Sequence, residues 1–270
     1  MTTAMDQGAP HAGTASQGEG ATSPERALGE IIRETRNLTA EQVEKILAFQ
    51  QSRGVRFGEA AIALGFVNAD DVLAALSQQF DYPYATPERR NASPELVALN
   101  APFSTQAESF RGLRSQVVMR TAADGQSRHA IAVISPNGKD GKTYIAANLA
   151  VALAQLGGRT LLVDANLRAP RQHAVFGLDG AMGLSRILVG RPERPAFALL
   201  LREMTGKFDH VIVDTAAAEF GADAAVTAAR CGGAILVARN DKSRLDALQA
   251  LASSLAGGAA KIVGVVTNDH

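Results

Sequence analysis

The tripeptide Gly141-Lys142-Thr143 follows closely on the apolar run AIAVIS (130–135) and opens a long helical pattern. A helix that starts there aims free backbone N–H groups at whatever lies beyond the strand, which suits a phosphate chain. Lys142 has the reach and charge for β- and γ-phosphates, and the Thr143 hydroxyl suits Mg²⁺. Asn137, Gly138, Lys139, Asp140 and Tyr144 complete the loop and the first helical turn as candidate contacts. The full G-x-x-x-x-G-K-[ST] pattern places a glycine where this chain has Pro136, so Gly138 must supply the close backbone approach. Two carboxylates end apolar strands: Asp164 closes TLLVD and Asp214 closes HVIVD. Ligands of open α/β sheets bind beyond the carboxyl ends of strands. Asp164 and Asp214 are therefore expected to join Lys142 as catalytic groups and Thr143 as metal ligands. Either aspartate alone reads equally well as a turn residue; the Gly-Lys-Thr loop makes the pair a candidate site.

The elements that must position these groups are legible as pattern. Besides AIAVIS, the runs TLLVDA (160–165), HVIVDT (210–215), GAILVA (233–238) and KIVGVV (261–266) are apolar without alternation, as buried parallel strands are. Helical patterns lie between them, at about 142–157, 183–190, 195–206, 222–231 and 243–257. The alternation predicts an α/β fold with a central, mostly parallel sheet flanked by helices over residues 105–270.

Upstream, LGEIIRETRNLTAEQVEKILAFQ is repeated as FGEAAIALGFVNADDVLAALSQQ, with Gly29 and Gly58, Leu38 and Val67, Val43 and Val72, Leu47 and Leu76, and Gln50 and Gln79 in register. Each copy reads as a short helix, a turn and a longer amphipathic helix. Thr39 with Gln42 makes a capping box, and Asn68 is the matching N-cap. A small all-α domain is expected over 25–82, preceded by a Gly/Ala/Ser/Thr-rich disordered tail (1–24, with Ser23 as a helix cap). A proline-rich linker (83–104) follows the small domain.

Composition narrows the function. The chain has 270 residues, Lys+Arg 27 and Asp+Glu 27, with a net charge of zero, which speaks against a generic nucleic-acid binder. The single cysteine, Cys231, cannot form an internal disulfide, and neither a secretory signal nor an apolar run of spanning length is visible. A cytoplasmic protein without direct membrane insertion is expected. His11, His129, His173, His210 and His270 show no metal-site spacing with Cys231, and no Gly-x-Ser-x-Gly elbow occurs.

Residues 105–268 resemble the bacterial tyrosine kinases (BY-kinases) of polysaccharide assembly, P-loop proteins of the branch that includes the MinD and ParA ATPases. The resemblance rests on SPNGKDGKT, LLVDANLRAPRQHAVFGL with GLSRILVG, FDHVIVDT and GVVTN. It is closest to chain-length-determinant tyrosine kinases of exosortase-linked exopolysaccharide systems. It implies a P-loop NTPase that binds ATP and Mg²⁺ through Lys142, Thr143, Asp164 and Asp214, with Asn268 at an adenine-contacting position. Glu108, Arg111 and Arg114 form E-x-x-R-x-x-R on one helix face, a motif that mediates ring-like homo-oligomerisation in that family. The implied partner is a membrane chain-length determinant (Wzz-like), which would bring the protein peripherally to the inner membrane. The implied activity is protein-tyrosine phosphorylation or ATP hydrolysis in exopolysaccharide synthesis and export. This chain departs from the family at Asn166, which replaces the second aspartate of Asp164-Ala-Asn166-Leu-Arg168, and at Ala216 and Ala217, which stand where proline is usual. Tyr82, Tyr84 and Tyr144 are its only tyrosines, so the autophosphorylated tail of the family is not expected. Two alternatives follow: a MinD/ParA-like switch without kinase activity, although Asn137 lacks the lysine those proteins often carry, or a non-catalytic scaffold.

The repeat resembles the domain at the start of type II secretion and MSHA pilus ATPases. Some of those domains bind cyclic di-GMP through two R-L-G-containing motifs. Arg56, Gly58 and Gly65 fit the second copy; in the first, Ala27 takes the arginine position and Arg36 that of the second glycine. A docking module without nucleotide is the competing reading.

Overall fold

The computed structural model describes residues 24–79, 93–122, 130–178 and 196–269. The expected tail, the Ser23 cap, the helix at 183–190 and the first half of the linker lie outside the described residues. The chain divides into two compact units, Met1–Tyr82 and Pro83–His270.

The first unit holds helices α1 (Pro24–Arg36), α2 (Ala40–Arg53), α3 (Phe57–Ala63) and α4 (Ala69–Gln79). The repeat is realised in its core. Leu28 and Phe57, Ile32 and Ala61, Leu38 and Val67, and Ile46 and Ala75 are all buried, each pair at the repeat spacing. The helix starts repeat as well. Thr39 and Gln42 exchange backbone-to-side-chain bonds at the start of α2 (2.9 and 3.3 Å). Asn68 and Asp71 do the same at α4 (both 2.9 Å), so aspartate closes the second box where glutamine closes the first.

The copies differ in the turn. The left-handed residue that ends the first helix is Gly65 in the second copy (φ +70) but Asn37 in the first (φ +50), one position later. Arg36 is therefore still helical, and its guanidinium pairs with Asp71. Gly58 is needed for packing: a Cβ there would lie 2.7 Å from Cγ1 of Val72. The two glycines expected to admit a nucleotide thus already serve a helix contact and a helix end.

The second unit is built on five parallel strands: β1 (Ala130–Ile134), β2 (Thr160–Asp164), β3 (His210–Asp214), β4 (Gly232–Arg239) and β5 (Lys261–Asn268). Their order is β2-β3-β1-β4-β5, so β1 is central and β3 lies between β1 and β2. All four pairings are parallel. One face buries Ile131 and Val133 under α6 (Thr105–Ala122) and α7 (Lys142–Ala154). The other buries Ala132, Ile134 and Leu236 under α9 (Ala196–Lys207), α10 (Asp223–Cys231) and α11 (Leu245–Ala256). Cys231 belongs to this second core; burial pushes its thiol up to about 12, so it is unreactive at neutral pH.

Residues 93–104, read from sequence as linker, instead pack against α7. They contain a short helix, α5 (Val97–Asn100), and Leu96 is fully buried with Ala147 and Val175. Asn148, inside α7, accepts from Ala98 N (2.9 Å) and donates to Glu95 O (2.9 Å). One buried amide so satisfies two backbone groups of a segment with too few residues to show periodicity. Among the described residues no helix is long and apolar enough to cross a membrane.

Candidate functional site

The central strand β1 delivers Ser135 and Pro136 to the carboxyl edge of the sheet, and the loop from Asn137 to Gly141 turns the chain into α7. Two successive bends require positive φ, at Lys139 (+63) and Gly141 (+99). Gly141 is also sterically required. A Cβ there would sit 2.1 Å from Nδ2 of Asn268, which donates to Asp140 O at 3.1 Å. Asn268, expected at the adenine, therefore stands at the end of β5 as a clamp on the loop.

Asp140 points inward and is almost fully buried. Its carboxylate accepts from Asn137 N (2.9 Å) and from Ser243 Oγ (2.9 Å). Its job in this arrangement is to hold the loop's shape; an anion would be repelled by it. Lys142 is also buried. Its ammonium donates to Ser135 Oγ (2.8 Å) and Asn137 O (3.2 Å). Burial lowers the Lys142 pKa, and the negative charges of Asp214, Asp140 and Glu219 oppose that shift.

The two strand-end aspartates come together because β2 and β3 are neighbours. Asp164 and Asp214 are register partners. Their environments differ. Asp164 accepts from three backbone N–H groups: Asn166 (3.1 Å), Arg171 (2.8 Å) and Gln172 (2.9 Å). It thereby ties down the loop into α8 (Gln172–Val175). Asn166 is occupied locally, its Oδ1 accepting from Ala169 N at 3.3 Å. Asp214 is fully buried. Its carboxylate accepts, on Oδ2, from Gln172 Nε2 at 3.0 Å, and the Thr143 hydroxyl lies near enough to lower its pKa. Oδ1 has no hydrogen-bond partner among the described residues. Burial, aided by the Asp164 charge, raises Asp214 to about 6, against the lowering effect of Thr143, Gln172 and Lys142. An unpartnered oxygen on a buried carboxylate beside a helix-opening threonine fits a divalent cation.

A polar cleft of about 390 Å³ opens beside the loop, lined by Glu95, Val97, Gln106, Lys139, Gly141, Tyr144, Arg171 and Asn268. A smaller space of about 200 Å³ adjoins it between Phe110, Leu113, Tyr144 and Val266. The geometry brings Lys142, Thr143, Asp164 and Asp214 to one edge of the sheet. It leaves Glu108 and Arg111 bonded to each other on α6 (2.7 Å), while Arg114 donates to Ala152 O (3.1 Å).

Residues without a sequence signal take part. Glu219 lies in a single 3₁₀ turn (Ala218–Phe220) just after β3. The turn is held on the loop by Ala218 N to Ser135 O and Glu219 N to Pro136 O, both 3.0 Å. The Glu219 carboxylate accepts the Gly138 N–H, a donor of the kind that suits a phosphate. Glu219→Ala is expected to raise affinity for a nucleotide polyphosphate about fivefold, since one competing bond of about 1 kcal/mol disappears. Calorimetric titration of the variant and the parent would decide it, and equal affinities would show that the carboxylate does not compete. Gln172 is the other such residue: eight positions beyond Asp164, in a stretch without periodicity, it reaches both Thr143 and Asp214.

A family model described as the CobQ/CobB/MinD/ParA nucleotide binding domain matches residues 131–270. The chain is 27% identical over 214 residues to the putative tyrosine-protein kinase CapB of Staphylococcus aureus, covering 67% of this chain and 92% of that protein. It is 28% identical over 192 residues to the tyrosine-protein kinase ptk of Acinetobacter johnsonii, covering 60% of this chain but 26% of that longer protein. Among solved structures, the chimerical protein CapA2B2 superposes with a TM-score of 0.60 at 26% identity, over 73% of this chain and 98% of that one.

Proposed function

Because the chain belongs to the CobQ/CobB/MinD/ParA nucleotide-binding family and to its BY-kinase branch, we propose that the edge carrying Lys142, Thr143 and Asp214 is an ATP·Mg²⁺ site that transfers the terminal phosphoryl group. The observation that carries this reading is Asp214: a fully buried carboxylate near Thr143, bonded to Gln172 through Oδ2 and left with Oδ1 unpartnered among the described residues. The loop N–H groups and the start of α7 would hold the phosphates, and Lys142 would neutralise their charge. Thr143 and Asp214 would hold the metal. Asp164 would act one step removed, since its oxygens already bind three backbone N–H groups. Bound ATP·Mg²⁺ supplies the transferable phosphoryl group and the charge that stabilises its leaving oxygen. The cleft beside Gly141 and Tyr144 has the size and polarity for the nucleoside.

The kinase names of CapB and of ptk support a tyrosine as acceptor, with water as the competing acceptor. We further propose, on the sequence resemblance, that the setting is exopolysaccharide synthesis and export. There the protein would work with a membrane chain-length determinant and assemble into rings through the α6 face that bears Glu108, Arg111 and Arg114. The first unit is read as a docking module, because helix packing and a helix end already account for Gly58 and Gly65. Incubation with ATP labelled on the γ-phosphate, with Mg²⁺ and with or without a chain-length determinant, tests the activity. Labelled phosphotyrosine is expected, with free phosphate marking hydrolysis. Label that stays wholly in ATP under both conditions would overturn the proposal.

A further inference from the structure

We infer that Gln172 is a positioning residue for phosphoryl transfer, setting Asp214 and lending its own amide oxygen to the hydration shell of the divalent cation. The inference rests on the ATP·Mg²⁺ reading above and adds a residue to it.

Gln172 is the first residue of α8 and is almost fully buried. Its amide nitrogen makes two bonds, to Asp214 Oδ2 (3.0 Å) and to Thr143 O (3.2 Å). Its backbone N–H goes to Asp164 Oδ2 (2.9 Å). One residue thus joins the end of β2, the end of β3 and the start of α7. The helix that carries it is anchored underneath: Val175 packs with Leu96 and Ala147, and its carbonyl accepts from Ser93 N at 2.9 Å.

The chemistry of the amide matters. An arginine or lysine at this place would neutralise Asp214 and compete with a cation. An amide donates a hydrogen bond to Oδ2, fixes the carboxylate rotamer and leaves the negative charge intact. What remains is unusual for a purely structural contact. Gln172 Oε1 and Asp214 Oδ1 are both buried and both lack a donor among the described residues. Buried acceptors are almost always paired, so two orphans on hydrogen-bonded neighbours ask for donors that the described residues do not provide. A magnesium ion keeps several of its waters and binds through one or two carboxylates. Direct ligation by Asp214 with a metal-bound water donating to Gln172 Oε1 would satisfy both atoms. Residues that orient metal ligands in this way typically account for about 10–100-fold in metal affinity.

The test uses the full chain and a fluorescent ADP analogue. Affinity is measured first in EDTA and then across a Mg²⁺ titration, for the parent and for Gln172→Leu, with Gln172→Met as a second variant of matching length should the first fail to fold. The expected result is an EDTA affinity within about twofold of the parent, and a Mg²⁺ half-saturation raised about tenfold or more. In ATP turnover kcat falls, while KM measured at saturating Mg²⁺ holds. An unchanged Mg²⁺ half-saturation would overturn the inference, as would an equal loss in EDTA, which would make Gln172 a support of the loop only. A parent chain that binds no nucleotide would instead sink the ATP site itself.

Discussion

Lys142→Ala is expected to abolish most nucleotide binding: affinity for ATP should fall about 30–100-fold, while the fold survives. The ammonium is held at the base of the loop by Ser135 Oγ and Asn137 O, within the field of Asp214, Asp140 and Glu219. A polyphosphate entering the loop brings several negative charges toward those three carboxylates. Lys142 is the buried cation available at the loop to offset them, because Lys139 is exposed. A charge-assisted bond of this kind contributes about 1.5–3 kcal/mol, and losing it leaves the repulsion of the carboxylates unopposed. Folding should be spared for a reason visible in the same side chain. Burial lowers the lysine's pKa, so its charged form is held at a net cost that alanine removes. Calorimetry for binding and a melting curve for folding separate the two effects. Parent-like affinity in a folded variant would show that the loop does not hold the phosphates through Lys142.

Asp214→Asn trades turnover for stability. Asp214 titrates at about 6 instead of 3.8 because burial disfavours its charged form. A raised folded pKa means that the stabilising difference is full below the unfolded value and is lost as pH rises through the folded one. Between about pH 4 and pH 6 the apoprotein therefore loses up to about 3 kcal/mol from this group alone, the equivalent of the two-unit shift. Asparagine carries no charge and keeps an oxygen for the Gln172 amide. The variant should therefore unfold at higher denaturant concentration than the parent at pH 8, with the gap closing toward pH 4. Turnover moves the other way. Losing the carboxylate proposed to hold the metal should remove several kcal/mol of transition-state stabilisation, or about a hundredfold and more in kcat. A variant less stable than the parent at pH 8, or one with parent-like kcat, would contradict the role assigned to Asp214.

Much of this site is local in sequence. Five strands declare themselves as apolar runs; the inner three, β1, β3 and β4, are buried on both faces of a parallel sheet, whereas the edge strands β2 and β5 are only partly covered. The Gly-Lys-Thr tripeptide lies where the first strand hands over to a long helix. Asp164 and Asp214 are recognisable because each is the first charge after such a run. The repeat of the first unit is equally plain, down to the capping box at Thr39 and the N-cap at Asn68, since N-caps and buried positions recur at a fixed spacing.

Other features depend on neighbours far along the chain. The pairing of β2 with β3, which places Asp164 beside Asp214, follows from the strand order and not from either strand's own residues. Asp140 reads as a loop contact for a ligand, yet Ser243, more than a hundred residues away, turns it into a support. Glu219 looks like any exposed glutamate until the turn after β3 is laid on the loop. Gln172 follows no hydrophobic period, and its contacts come from burial among three elements.

The sequence alone therefore determined the strands and the long helices, the Gly-Lys-Thr tripeptide at the start of α7 and the two strand-end carboxylates, because hydrophobic periodicity and helix termini are short-range properties of the chain. Only the tertiary structure decided which carboxylate stays buried with an unpartnered oxygen, which one is spent on backbone N–H groups, and which amide holds them. Desolvation and hydrogen-bond satisfaction are set by atoms that the chain brings together only after the sheet has formed.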